Sequence, residues 1–324
     1  MTYLVTGATG LLGNNVVRLL LARGQAVRVL VRAGSDERPL AGLNVERMIG
    51  DVTDAEAVER AVAGVKVVIH SAAHVHLGWK QWERHRAINV EGTRNVARAA
   101  RRHGARLVHV SAINALGLGR LEQPADEESA LEGIVPCPYV VTKRQAEEVV
   151  LDEVGQGLNA VIVNPGCMFG PWDWKPSSGK MLLAVTRFAP VAPLGAASFC
   201  DARDVAEGTL AAAERGQCGR RYILAGHNLR YWEAWQQMAR LAGKRGPLLP
   251  MGPLFRAISG PILDLRTWWT GREGDANSAV LRLGRQQHCF SSRRAQEELG
   301  YRIRPFAETL QDTWDWFRSN GYVP

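Results

Sequence analysis

The sequence predicts an α/β protein in which a doubly wound parallel sheet is followed by a smaller, mainly helical lobe. Three observations carry this. The first half of the chain alternates short β-rich runs with segments whose apolar residues recur at three- and four-residue spacing. The runs are apolar almost throughout, as strands covered by helices on both faces are. After about residue 165 the alternation stops, and Gly, Pro and Trp crowd the chain.

In order, the predicted strands are YLVT (3–6), AVRVLV (26–31), VERMI (45–49), VKVVIH (65–70), RLVHVS (106–111) and NAVIVN (159–164). Helical spacing fills the intervals, most clearly from Leu11 to Leu21, Ala55 to Val62 and Asn89 to Ala100. The stretch NPGCMFGPWDWKPSSGK (164–180) reads as a long loop, the kind that carries function. FCDARDVAEGTLAAAERG (199–216) then returns to helix and RRYILAG (220–226) to strand. The expected division places a dinucleotide-binding domain at 1–165, rejoined by 198–226, and a substrate-binding lobe at 166–197 and 227–324. With 324 residues, the chain is about two domains long.

Composition narrows the function. The net charge is +8 and the pI about 9.5, which suits an anionic nucleotide. The arginines are dispersed along helical segments, and the longest basic cluster, RAARRH (98–103), reads as a solvated helix face, so no nucleic-acid partner is expected. Five cysteines without a CxxC pair point to a reducing compartment. No apolar run reaches the length of a membrane span, and MTYLVTG resembles no signal peptide. The expectation is a cytoplasmic protein with no membrane partner.

TGATGLLG (6–13) follows the first strand and opens a helix. Gly7 would make a tight turn, Gly10 would let the backbone approach a pyrophosphate, and Gly13 would allow close helix–strand packing. The helix N-terminus would point its free N–H groups at the anion. Gly7, Thr9, Gly10, Leu11, Leu12 and Gly13 are therefore the first candidate cofactor contacts, and the fold expected is of the Rossmann type. An NAD site usually offers a carboxylate at the end of the second strand. Here VLVRAGSDER places Arg32 there, which can grip a 2′-phosphate, with Ser35 and Arg38 nearby. NADP(H) is favoured over NAD(H), the alternative being that Arg32 projects into solvent.

Tyr139 and Lys143 in YVVTK are four residues apart and share one face of a helix, with Pro136 and Pro138 leading in. A tyrosine is a poor base at neutral pH, but an adjacent ammonium favours its phenolate. Tyr139 can then exchange a proton with a substrate oxygen as hydride is transferred.

In this context the chain resembles an extended short-chain dehydrogenase/reductase of the NAD(P)-dependent epimerase/dehydratase family. The likeness is strongest to its dihydroflavonol-4-reductase-like and hopanoid-associated epimerase-like branch. TGATGLLG, GDVTD (50–54), VIHSAA (68–73), NVEGTRNV (89–96), YVVTK, NPGCMFGPWD (164–173), DARDVAEG (201–208) and ELGYRIRPFAETLQDTWDWFRSNGY (298–322) fall in that family's order. The resemblance implies that Asp51 and Val52 contact the adenine and that Ser71, Ala72 and Ala73 line the middle of the cofactor. It also implies that Ser111 and Pro165 pass beside it, Lys143 holds the nicotinamide ribose, and Asn89 braces the central helix. A homodimer is implied as well.

One position departs from the pattern. Aligned on Gly117, VHVSAINALG (108–117) places Ser111 at the structural serine and Ala112 where the family carries a catalytic Ser or Thr. That hydroxyl would donate to the substrate oxygen. If the strand stays extended, Asn114 shares the face of Ala112 and its amide can donate instead. Tyr139, Lys143 and Asn114 are therefore the candidate catalytic residues.

The leading expectation is an NADP(H)-dependent oxidoreductase that interconverts a carbonyl and an alcohol. The alternatives are a nucleotide-sugar epimerase or dehydratase with retained NAD(P), and a non-catalytic dinucleotide-binding sensor. HVH (74–76) lacks a third ligand at suitable spacing, so no metal is expected. The tryptophans at 172, 174, 232, 235, 268 and 269 read chiefly as packing, or as stacking for a flat substrate.

Overall fold

The computed structural model describes residues 1–187, 191–247 and 249–323. The strands are β1 (Thr2–Thr6), β2 (Ala26–Val31), β3 (Glu46–Ile49), β4 (Val67–His70), β5 (Arg106–Val110), β6 (Ala160–Pro165), β7 (Cys167–Phe169), β8 (Val191–Ala192), β9 (Ala196–Asp201), β10 (Arg221–Leu224), β11 (His227–Arg230), β12 (Leu249–Pro250) and β13 (Gln287–His288). The helices are α1 (Leu11–Ala22), α2 (Ala55–Val62), α3 (Trp82–His85), α4 (Gly92–Arg102), α5 (Pro138–Gly155), α6 (Gly179–Arg187), α7 (Ala202–Arg215), α8 (Tyr231–Leu241), α9 (Pro253–Thr270), α10 (Ser278–Leu283), α11 (Arg293–Leu299) and α12 (Phe306–Ser319).

Among the described residues the main sheet has seven parallel strands in the order β3-β2-β1-β4-β5-β6-β10. The order reverses between β1 and β4, and there the crevice at the strand ends binds ligands in such folds. The predicted strand limits match those observed to within two residues, β2 without any shift, because the apolar pattern only roughly marks where hydrogen bonding ends.

Alternate strand residues face opposite sides, so two cores form. Val5, Val29, Ile69, Val108 and Val161 bury against the layer of α1, α7 and α11. Leu4, Val68, Leu107 and Ile162 bury against α2, α4 and α5. Each such side chain contributes about 1.5–3 kcal/mol by leaving water, which explains why these strands read as unbroken apolar runs.

The smaller sheet has β9 at its centre, with β11 antiparallel and β13 parallel beside it, and β7 also parallel to β9. Phe169, Phe199, Phe306 and Phe317 form its aromatic core with Leu182, Met238 and Trp316. β9 belongs to this smaller sheet, α7 then packs on the large one, and β10 completes it. α11, within the stretch expected to be lobe, packs on α7 and β10.

Candidate functional site

The glycine loop leaves β1 at the reversal point. Gly7 has φ +71°, and a Cβ there would lie 2.7 Å from both the Ser71 carbonyl carbon and the Ala72 nitrogen. A Cβ on Gly13 would lie 2.2 Å from the Gly7 oxygen. Packing within the chain therefore demands glycine at both. Gly10 differs: its nearest neighbour would be the Gly7 oxygen at an ordinary 3.4 Å, so its open side faces the groove. Gly10 is also the N-cap of α1 and supplies no side chain to its first N–H groups. Thr9 is partly exposed, whereas the Leu11 and Leu12 side chains are buried, so these leucines offer the groove their backbone N–H groups. An open glycine at an uncapped helix N-terminus fits a dinucleotide pyrophosphate.

The end of β4 is tied to this loop. Ser71 Oγ donates to the Thr6 carbonyl at 3.0 Å, and the Ala72 amide donates to Thr6 Oγ1 at 3.3 Å. Ser71, Ala72 and Ala73 are half-buried along the groove. Asn89 sits in a π-helical turn, Arg86–Glu91, between α3 and α4. Its Oδ1 accepts from the His74 amide at 2.7 Å, while its Nδ2 donates to the His74 carbonyl at 3.2 Å and to Thr142 Oγ1 at 3.1 Å. Asn89 therefore joins the loop after β4 to α5.

At the far end of the groove, Arg32 is exposed at the end of β2, and its guanidinium has no hydrogen bond or ion pair among the described residues. Ser35 Oγ donates to the Arg32 carbonyl. Arg38 is already engaged: it clasps Asp36 and lies 5.4 Å over the Trp174 ring. Asp51 Oδ1 accepts from the amide and hydroxyl of Thr53, both at 2.9 Å, and shapes the turn into α2, whose N-cap is Asp54. Val52 is buried against Gly92, and its carbonyl accepts from Asn95.

α5 begins at Pro138, whose missing N–H costs nothing at that position. Tyr139 follows, 9% exposed, with its ring edge-on to His85 at 6.3 Å. Lys143, one turn on, is 3% exposed and donates through Nζ to the Val110 carbonyl at 2.7 Å. Burial lowers the Lys143 pKa to about 8, with Glu147 pulling the other way. Burial also raises the Tyr139 phenol well above its usual value, and the Cys137 thiol adds to this. The ammonium is thus turned to the Val110 carbonyl, and burial favours the protonated form of the phenol.

The stretch around Ala112 needs correction. β5 ends at Val110, and Ile113–Ala115 form a 3-10 turn with Ala112 as N-cap. The extended run that would set Asn114 on the face of Ala112 is not formed. The Ala112 carbonyl accepts from Asn164 Nδ2 at 3.1 Å, and the same Nδ2 donates to Glu147 Oε1 at 2.7 Å. Ser111 Oγ is buried without a hydrogen-bond partner among the described residues, and its amide donates to the Val163 carbonyl. Pro165 closes β6 beside Leu224, ahead of the half-exposed Gly166, Cys167 and Met168.

Three features carry no sequence motif. Glu273, on the lobe, accepts from the Trp79 and Lys80 amides and from His76 Nε2, clamping the loop after β4. Burial opposes its ionisation, but these donors hold its carboxyl below the usual range. His74 in turn bonds Gln81, and no group of three metal-binding side chains occurs among the described residues. Trp172, at φ +72°, stacks on Arg18 of α1, and Asn15 donates to the Pro171 carbonyl. His85, wholly buried, accepts from Asn89 at Nδ1. No helix among the described residues is long and apolar enough to cross a membrane.

Residues 3–225 match the family model described as NAD dependent epimerase/dehydratase family. Over 330 aligned residues the chain is 35% identical to sterol demethylase protein B of Methylococcus capsulatus, covering all of both proteins. It is 32% identical to a putative dihydroflavonol 4-reductase of Synechocystis sp., covering 99% of this chain and 96% of that protein. The crystal structure of gox2253 superposes with a TM-score of 0.86 at 34% identity, covering 100% of this chain and 99% of that one.

Proposed function

This chain belongs to the NAD dependent epimerase/dehydratase family, within the extended short-chain dehydrogenases/reductases, and from that premise we propose that it is an NADP(H)-dependent reductase. It interconverts a carbonyl and an alcohol on an apolar, cyclic substrate, with Tyr139 as the acid/base. The observation that carries this reading is the buried Tyr139, one helical turn before the buried Lys143 on α5, in a sheet whose reversal point carries the open Gly10 loop. A protonated phenol suits the direction in which a carbonyl oxygen gains a proton. The names of the sterol and dihydroflavonol relatives support an apolar ring system.

Gly10 and the first N–H groups of α1 would hold the cofactor's pyrophosphate. Arg32, whose guanidinium has no hydrogen bond or ion pair among the described residues, would hold a 2′-phosphate. Asp51 and Val52 would border the adenine, Ser71, Ala72, Ala73, Ser111 and Pro165 would line the middle and nicotinamide end, and Lys143 would reach the ribose. When bound, the cofactor supplies or takes up the hydride. Tyr139 Oη gives its proton to the substrate oxygen, and the ammonium of Lys143 offsets the charge left on the phenolate. Ala112 contributes no donor, and the 3-10 turn removes the argument for Asn114, so a hydroxyl on the substrate itself supplies the second hydrogen bond.

The test is oxidation of free NADPH and NADH across a panel of cyclic carbonyls. NADPH turnover, with Arg32→Asp shifting the preference towards NADH by at least about tenfold, is the expected result. Nicotinamide that survives purification and is not exchanged would instead establish the epimerase or dehydratase reading. Tight cofactor binding without turnover of any substrate would establish the sensor.

A further inference from the structure

The longest stripe of exposed apolar side chains among the described residues lies on α9, outside the site. Ile262, Leu265, Trp268 and Trp269 are 58%, 62%, 78% and 85% exposed. At helical spacing the four fall within an arc of about 120°. The opposite face is seated: Thr267 is buried and Gly260 approaches Ser278 of α10. Two adjacent indoles left in water at the end of such an arc are costly unless another phase receives them.

We propose that α9 is a docking helix for an anionic lipid surface, lying in the plane of the headgroups without crossing the bilayer. Charge selects this occupant. Arg266 borders the arc and Arg272 follows the helix end, both exposed and neither side chain ion-paired among the described residues. Asp264 on the other edge is a single opposing charge. The chain as a whole carries +8, which attracts phosphate headgroups. Indoles, with an apolar body and one N–H, suit the boundary between headgroup and acyl chain. The arrangement is the interfacial amphipathic kind, apolar on one face with cations at its border.

The location has a use. Gly271 ends α9, and two residues later Glu273 clamps the loop that follows β4 and borders the cofactor groove. The docking face and a wall of the site are thus joined by a short, pinned connection. The delivery of a membrane-dissolved carbonyl to the groove rests on the proposed reductase reading; the docking does not.

Flotation of the full chain with phosphatidylcholine vesicles, with and without phosphatidylglycerol, tests docking without any turnover. The expected result is binding to the anionic vesicles that weakens with salt and falls at least about tenfold in Trp268→Ser/Trp269→Ser. Arg266→Gln/Arg272→Gln should erase the preference for phosphatidylglycerol. Thermal midpoint and NADPH affinity, unchanged in these variants, establish that they are folded. Failure of the wild-type chain to float with either vesicle, or equal flotation of the double tryptophan variant, overturns the proposal. A dimer in sedimentation equilibrium that the tryptophan variant dissolves, without vesicle binding, also overturns it and assigns the face to a second copy.

Discussion

The guanidinium carbon of Arg18 lies 3.3 Å from the ring centroid of Trp172. Arg18 belongs to the helix opened by the glycine loop, and Trp172 to the loop that begins the substrate lobe. Arg18 also donates to Asn14 Oδ1 at 2.8 Å, and Asn15 reaches the Pro171 carbonyl at 3.0 Å, so the helix meets this loop at two points. Trp172 accepts a left-handed backbone to make the stack, although it has a Cβ.

Replacing Trp172 by Gly and by Ala should therefore give an unusual order. Both lose the stack, worth about 0.5–2 kcal/mol, but Gly tolerates the backbone angle that Ala does not. Trp172→Gly is expected to be the more stable of the two by about 1 kcal/mol, with NADPH affinity reduced two- to tenfold, roughly, in both. Equal thermal midpoints would count against the strained-backbone account.

Tyr139→Phe removes only the transferable proton. The rate of carbonyl reduction should fall by about 10²–10⁴ while NADPH affinity stays within about threefold. A comparable loss of cofactor affinity would mean that the phenol binds rather than reacts.

The Lys143 ammonium titrates at about 8 because burial disfavours its charge. It is charged below that pH and neutral above it, so kcat/KM should decline as pH rises through about 8. Lys143→Arg keeps the charge at all accessible pH values, and this limb should vanish from its residual activity. A profile unchanged by that substitution would assign the limb to another group.

Ala112→Ser restores a hydroxyl where the family carries one and should raise the rate, by up to about 10² if the oxygen faces the reacting carbonyl. Asn114→Ala, on the 3-10 turn, should change it by less than about threefold. A large loss in the second variant would return Asn114 to the site.

His70 and His109 are register partners on β4 and β5, both buried, with their rings 5.6 Å apart. Burial drives the His70 pKa to about 3 and that of His109 well below its usual value, with Lys143 adding to both. The unfolded chain takes up these protons below about pH 6.5 and the folded chain does not, so stability falls on acidification. The slope is about 1.4 kcal/mol per pH unit for each histidine until its folded pKa is reached. Neither ring nitrogen of His109 has a hydrogen-bond partner among the described residues. His109→Leu should therefore flatten the slope, and its gain in denaturation midpoint should be larger at pH 5 than at pH 7.

The parts legible in the sequence are those set by local chemistry. Gly7 and Gly13 announced a turn because no other residue permits those backbone approaches, and the strands announced themselves by continuous burial. The Tyr139–Lys143 spacing gave the shared helix face. Periodicity does not say where a side chain finally points: Lys143 turns to Val110, and Asn114 lies on a turn that a reading of β5 as extended does not anticipate. Glu273 is nearly two hundred residues from the loop it clamps, a separation that no local pattern encodes. The apolar face of α9 was similarly hidden, because Asp264 and Arg266 interrupt in sequence what the helix gathers on one side.

The hydrogen bonds behind Ala112 impose an order of assembly on the nascent chain. Asn164 holds the Ala112 carbonyl and Glu147 at once, and Glu147 is completed by Arg221 of the edge strand β10, at 2.6 Å and 74 residues away. Until β10 leaves the ribosome, the carboxylate behind the site lacks the guanidinium that pairs with it directly, and burying it without that ion pair is costly. A chain halted between Gly166 and Ala202 would hold the glycine loop, Tyr139 and Lys143 and still be unfinished at its centre. The last strand of the large sheet works as a keystone, and translation delivers it only after the first part of the lobe has been made.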